Sequence, residues 1–437
     1  MDGLLRFALF VTIAVAPLGW LTLAEIGPLQ VRPMHAAFGL LTVCALLRSP
    51  RLFFTGIIAR SPMNWMLLFS LAYAAWMFSY LPSGKVDPDG GVSQVFKYPI
   101  YCLSGASMIG AFYVARVCGI YTHRRACQAV IFGCMLFCVI AMIIFAQKGE
   151  NLIVSYSQDV MTGNMGRLQF YYYNVLFEGT GSDENINLRN TLMGAFVLYV
   201  MLAYPETIDP NSRHRWFAYF TVFVSSMIVI LSVSRSNTFA LLAAVGTASL
   251  IYNLREMRRL VNVGIVLGIL GVGAVGSIIL FVPEVATSVT DRFGTQVVNN
   301  VRVENFRLAL DGVATGTWDG AGPATHVLTR EGPLRVHNLL LAALFETGIV
   351  GFIFASAMYI CLILTFYQLA VKSLRCRTAT AALSFASAAG LLMLPSFCMM
   401  LSGEAGIPTF VEWTSMAISA RLLDCPQIPL NMETTTG

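Results

Sequence analysis

Apolar and polar positions fall along this chain in long blocks. Apolar runs of about 17 to 25 residues recur from one end to the other, the length of a helix crossing a hydrocarbon layer of roughly 30 Å. They sit near 4–23, 33–47, 64–82, 98–117, 126–147, 189–204, 215–234, 237–253, 261–283, 338–371, 379–401 and 406–421. The pattern predicts an all-α polytopic membrane protein with about twelve transmembrane helices. No soluble domain, linker or short repeat interrupts it, so residues 1–437 read as one integral membrane domain. Two polar segments, 148–188 and 284–336, are too long to be turns, and loops of that length are usually functional.

Composition agrees with the pattern. The chain is 57% hydrophobic and 12% charged, with a mean hydropathy of +0.69, more apolar surface than one water-soluble core could hide. The first run continues into a second without a small-residue cleavage site, so it reads as a retained span and not as a signal peptide.

Charge adds orientation. Alternate joints carry "RSPR" with Arg60, "RVCGIYTHRR", "SRHR", "REMRR" and "KSLRCR", and with Arg6 and Arg421 this set holds 16 of the 28 lysines and arginines. The positive-inside rule then puts both termini in the cytoplasm and the two long segments outside. The net charge of +5 is thereby a topology signal, and nucleic acid is not an expected partner. The ten cysteines lie in spans or on the cytoplasmic side, without a CxxC site or a disulfide framework. Cys134 and Cys138, four residues apart, fit membrane packing.

The polar chemistry collects on the outer face. The junction "SVSRSN" pins Arg235 at the outer end of a helix, where an arginine either snorkels or meets an anion. The second long segment supplies Arg302, Arg307 and Arg335 and ends at His337 and Asn338, before the apolar run "LLLAALFETGIVGF". His337 could simply cap or pack, and Asn338 is a favoured N-cap. Fixed cations beside one group titrating near neutrality are nonetheless what diphosphate binding followed by proton transfer requires. Glu346, nine residues on, reads as a buried carboxylate bonded to a neighbouring helix, with Gly348 and Gly351 allowing helices to approach. "VDPDGG" with Asp87 and Asp89 is a turn first and a divalent-cation site second. "DGAGPA" around Gly320 and Gly322 lacks the preceding strand of a nucleotide-binding loop.

The ordered set "VSRSNTFALLAAVG", "VRVENFRLALDGVATGTWDGAGP" and "VHNLLLAALFETGIVGF" resembles the core of the O-antigen ligase and polymerase family of bacterial envelope enzymes. The resemblance spans about residues 225–355 and rests on Ser234 and Arg235, on Arg302 with Phe306 and Ala309, on Gly320 with Gly322, and on His337 with Asn338, Glu346, Gly348 and Gly351. It implies a GT-C-like membrane glycosyltransferase of the bacterial inner membrane, working on the periplasmic face without cofactor or metal. Its donor would be an undecaprenyl diphosphate-linked glycan, and its acceptor lipid A-core or a second lipid-linked glycan. Arg235 and Arg302 would hold the diphosphate and His337 would act as general base, with Asn338, Arg167, Arg189 and Arg307 as further substrate contacts. Phe306 stands where a tryptophan is common in the family.

Three functions compete. A ligase transfers the glycan to lipid A-core, while a repeat-unit polymerase for O-antigen, capsule or exopolysaccharide extends a second lipid-linked glycan. The spacing from Arg235 to Gly246 matches such polymerases, though glycine is frequent in membrane helices. A solute or anion transporter would put charges or broken helices at mid-membrane and repeat one half in the other, and the sequence has neither.

Overall fold

A computed structural model describes residues 1–18, 24–26, 29–86, 91–148, 235–254, 301–316, 318–329, 332–334, 336, 338–401 and 408–423, with 193, 194, 196, 197, 220, 221 and 223. These residues are mostly helical. In chain order the helices are α1 (Asp2–Val15), α2 (Pro33–Arg48), α3 (Pro50–Ile58), α4 (Pro62–Phe78), α5 (Gly91–Val117), α6 (His123–Lys148), α7 (Arg235–Asn253), α8 (Val301–Thr315), α9 (Leu339–Arg375), α10 (Ala379–Leu401) and α11 (Phe410–Leu423). Two short antiparallel hairpins join them, β1 (Ala24–Ile26) with β2 (Leu29–Val31), and β3 (Val327–Thr329) with β4 (Gly332–Leu334).

Among the described residues three helical stretches are long and apolar enough to cross a membrane: Pro62–Ser83, Val95–Val117 and Leu339–Arg375. A fourth is available if α2 and α3, bent by 113° at their junction, form one span. The runs expected at 189–204, 215–234 and 261–283 fall largely or wholly outside the described residues. The joint around "RSPR", read from sequence as a loop, is instead the helix α3. Ser49 caps it with Pro50 behind, an N-terminal signature on a helix too short to register as an apolar run. α3 lies on α5, with Gly56 under the Tyr113 ring and Phe53 over Gly110.

Two apolar cores share α5, α7, α10 and α11. One gathers α1, α2, α3 and α6 around Phe112, Leu41 and Ile13. The other packs α4 and α9 around Tyr73, Met358 and Trp413, with the Trp413 indole filling the gap left at Gly105. A third, small cluster stands apart and carries the region of interest. There Ala309 of α8, Val327 of β3, Val336 and Ala342 of α9 are buried together, flanked by Phe306, Leu341 and Phe345.

Candidate functional site

α9 is two helices. At Gly348 the backbone leaves helical geometry (φ 66°, ψ −161°), dividing Leu339–Arg375 into a short N-terminal piece and a long C-terminal one. A broken helix strands carbonyls whose donors have moved away, and buried carbonyls must be paired. In an unbroken helix the carbonyls of Phe345, Glu346 and Thr347 would accept from residues 349, 350 and 351. Here the Phe345 carbonyl accepts from Ala321 N–H (2.9 Å) and the Glu346 carbonyl from Gly322 N–H (2.8 Å). The Thr347 carbonyl accepts from the Trp76 indole N–H (3.0 Å). In return, Ile349 N–H donates to the Trp318 carbonyl at 3.0 Å.

The "WDGAGPA" loop is therefore a plug for the break in α9. Its close approach explains two glycines. A Cβ at Gly348 would sit 2.1 Å from the Trp318 carbonyl oxygen, and one at Gly320 (φ 79°) would sit 2.5 Å from Gly348 N. Glu346 is fully buried, as its sequence reading expected, and its Oε2 accepts from Ala324 N–H at 2.9 Å, a donor in the loop that the sequence reading did not foresee. Gly348, expected to let two helices approach, instead supplies the break. "DGAGPA" receives a structural explanation that sequence alone could not provide.

The plug is also tied to the end of α4. Lys85 Nζ pairs with Asp319 Oδ2 at 2.7 Å, the Tyr80 hydroxyl donates to the Asp319 carbonyl, and the Trp76 and Trp318 rings lie 6.4 Å apart. Sequence reasoning did not single out Lys85, Asp319, Trp76 or Trp318. The signals available were one lysine in an otherwise acidic loop and one acidic group beside the glycines.

These contacts orient α8. Gly312 meets the Phe345 ring, and the loop leaving α8 fills the break just beyond, so α8 and the first piece of α9 run the same way. Counting back at 1.5 Å per residue, Arg302 lies about 15 Å from Gly312, and Asn338 about 10 Å from Phe345. The Arg302 end of α8 and the Asn338 end of α9 thus share one end of the unit, with the hairpin β3–β4 returning the chain between them. His337 itself lies outside the described residues, between buried Val336 and Asn338. Asn338 is the N-cap of α9, its Oδ1 accepting from Leu341 N–H at 3.0 Å. Arg307 stands on the exposed face of α8.

Arg235 is the first residue of α7. α7 packs on α10 and touches α9, and Gly390 of α10 meets the Ala244 carbonyl. The described residues do not join Arg235 to the α8 unit. The side chains of Arg235 and Arg302 lie outside the description, as do Arg167, Arg189, Arg335 and the pair Asp87 and Asp89. No group of three or more His, Cys, Asp or Glu capable of holding a metal occurs among the described residues.

Apolar helices long enough to cross a bilayer, with a polar helix, hairpin and plugged helix break gathered at one end, define a membrane protein of the integral, helical class. Comparison narrows the likeness: residues 220–356 match the family model described as O-antigen ligase, and it is to that family that this stretch of the chain is similar. The matched stretch contains Arg235, α8, the plug, the His337–Asn338 pair and the break in α9. The match supports an enzyme of O-antigen ligase or polymerase type. No curated protein matches the chain closely enough to count as a relative.

Proposed function

We propose that this protein is a glycosyltransferase of the bacterial inner membrane that moves a glycan from undecaprenyl diphosphate to lipid A-core on the periplasmic face. The observation that carries the reading is the family match over 220–356, which holds all three residues the chemistry needs, in order: Arg235, Arg302 and His337. Arg235 and Arg302 bind the diphosphate, whose negative charge grows as the anomeric carbon–oxygen bond breaks. His337 accepts the proton of the acceptor hydroxyl as its oxygen bonds to that carbon, with inversion. The departing group is undecaprenyl diphosphate, and no metal or nucleotide enters the balance. Asn338 holds the helix start beside His337, while Arg167, Arg189 and Arg307 serve as further contacts to sugar or phosphate.

The test is glycan transfer by the purified, EDTA-treated protein, offered either lipid A-core or a second lipid-linked glycan. Substituting His337→Ala is expected to lower the rate by about 10²-fold or more, and Arg235→Ala or Arg302→Ala by about 10²-fold. Activity surviving in His337→Ala removes the general base. Consumption of the lipid-linked glycan in place of lipid A-core makes the protein a repeat-unit polymerase with the same donor chemistry.

A further inference from the structure

The N-terminal helix and α6 leave between them a groove of about 410 Å³, lined by no residue of the plugged helix. Its floor is apolar: Leu9, Ile13, Ile120 and Ala126 are buried. Phe7 on its wall is 58% exposed, and the Phe10 and Phe132 rings meet at a tilt with centroids 5.8 Å apart, so the α1–α6 face is apolar beyond the groove itself. At Gly3 a side chain would meet nothing within 4 Å, which leaves the groove's edge open.

Two cations line this same groove, Arg6 of α1 and Arg125 of α6, both exposed. Neither has a carboxylate partner among the described residues. Asp2, one turn before Arg6, pairs with Arg48 at 2.5 Å. Arg125 donates from its guanidinium to the Ile120 carbonyl at 3.2 Å, which fixes its position and leaves further N–H groups on the fork.

We propose that this groove binds one anionic glycerophospholipid from the surrounding bilayer, its phosphate between Arg6 and Arg125 and an acyl chain along the apolar floor. A soluble anion would use the two guanidinium groups but has no need of a floor of leucine, isoleucine and alanine. A zwitterionic lipid fills the floor but brings an ammonium group toward two arginines. Only a lipid with net negative charge satisfies both halves, as basic pockets between membrane helices do elsewhere. The proposal is independent of the transferase reading.

The experiment uses the full chain, purified in detergent, exposed to equimolar phosphatidylglycerol and phosphatidylethanolamine, and analysed by native mass spectrometry for retained lipid. Wild type is expected to keep one phosphatidylglycerol preferentially. Arg6→Gln with Arg125→Gln removes two interfacial charges and is expected to weaken that retention on the order of 30-fold. Arg51→Gln, which removes an exposed arginine outside the groove, should leave it unchanged. Gly3→Phe keeps both arginines and fills the edge of the groove, so it should also lower retention while the protein elutes as a single species. Equal retention of the two lipids by wild type, or undiminished phosphatidylglycerol on the double variant, overturns the proposal. So does a second copy of the chain, found occupying this face in a dimer that excludes lipid.

Discussion

At Ser49 the chain swings through 113° from α2 into α3, and the backbone hydrogen bonds that manage the turn are local. Ser49 N–H closes α2 on the Ala45 carbonyl at 3.0 Å, and the Ser49 carbonyl opens α3 by accepting from Phe53 N–H at 3.0 Å. At Gly348 the chain breaks α9 with partners drawn from residues 318 to 322 and from Trp76 of α4. The hydrogen bonds of the first turn lie within a few neighbouring residues, whereas those of the second belong to a tertiary assembly. A locally specified bend can serve as scaffold, since little else has to be correct for it to form. The tertiary break couples three elements, and α8 with the Asn338 cap is aligned through it.

The strongest way to break this comparison is to give residue 348 a side chain. Gly348→Ala places a Cβ where the Trp318 carbonyl stands, 2.1 Å away, and asks alanine to adopt a φ of 66°. Backbone strain of this kind costs about 1 to 3 kcal/mol, and expulsion of the plug exposes the Phe345 and Glu346 carbonyls. A loss of about 3 kcal/mol or more is expected, read as a lower melting temperature in detergent. The distance between spin labels on exposed Leu328 and Ile353 should lengthen and broaden. An unchanged distance and melting temperature would mean that the plug does not depend on the break.

An intermediate effect is expected at the far end of α3. Asn64 is buried, and its side-chain amide donates to the carbonyls of both Gly56 and Ile57 at 2.6 Å each. Asn64→Leu keeps the bulk and removes both donors, leaving two terminal helix carbonyls short of partners. Each net bond is worth about 0.5 to 1.5 kcal/mol, so about 2 kcal/mol in total is expected. If thermal unfolding of Asn64→Leu matches wild type, α3 is held by its packing on α5 alone, and this turn is less local than its hydrogen bonds imply.

The same contrast governs what the sequence could reveal. Apolar periodicity located α2, α4, α6, α7, α9, α10 and α11 to within a few residues, and α5 at its C-terminal end, because burial in a bilayer leaves that signal in every turn. It passed over α3, whose nine residues are too few for a run, although Ser49 and Pro50 announce a helix start. It read Leu339–Arg375 as uninterrupted, since a single glycine in an apolar stretch is compatible with an ordinary helix. The glycines at 320, 322 and 348 were visible in the motif that carries the family resemblance, but their physical meaning depends on distant backbone meeting them: Gly320 and Gly348 face each other's segments, and Gly322 lies against the Lys85 carbonyl. Likewise Glu346 was legible as buried. Its partner was not, because an N–H on the loop leaves no trace in residue type.

The smallest expected effect sharpens the local side of the comparison. Ser49 Oγ accepts from Leu52 N–H at 3.4 Å, near the outer limit of a useful bond. Replacing an N-cap serine by alanine typically costs about 0.5 to 2 kcal/mol, and this long bond puts Ser49→Ala at the lower end. Pro50 carries no N–H and fixes its own φ, so α3 still starts at the same residue and the bend persists. Spin labels on exposed Leu40 and Ile58 should report an unchanged distance while stability falls by about 0.5 kcal/mol. A bend that straightens in Ser49→Ala would mean that the serine, and not the proline with the packing of Phe53 and Gly56 on α5, sets the turn. The local break would then be as fragile as the tertiary one.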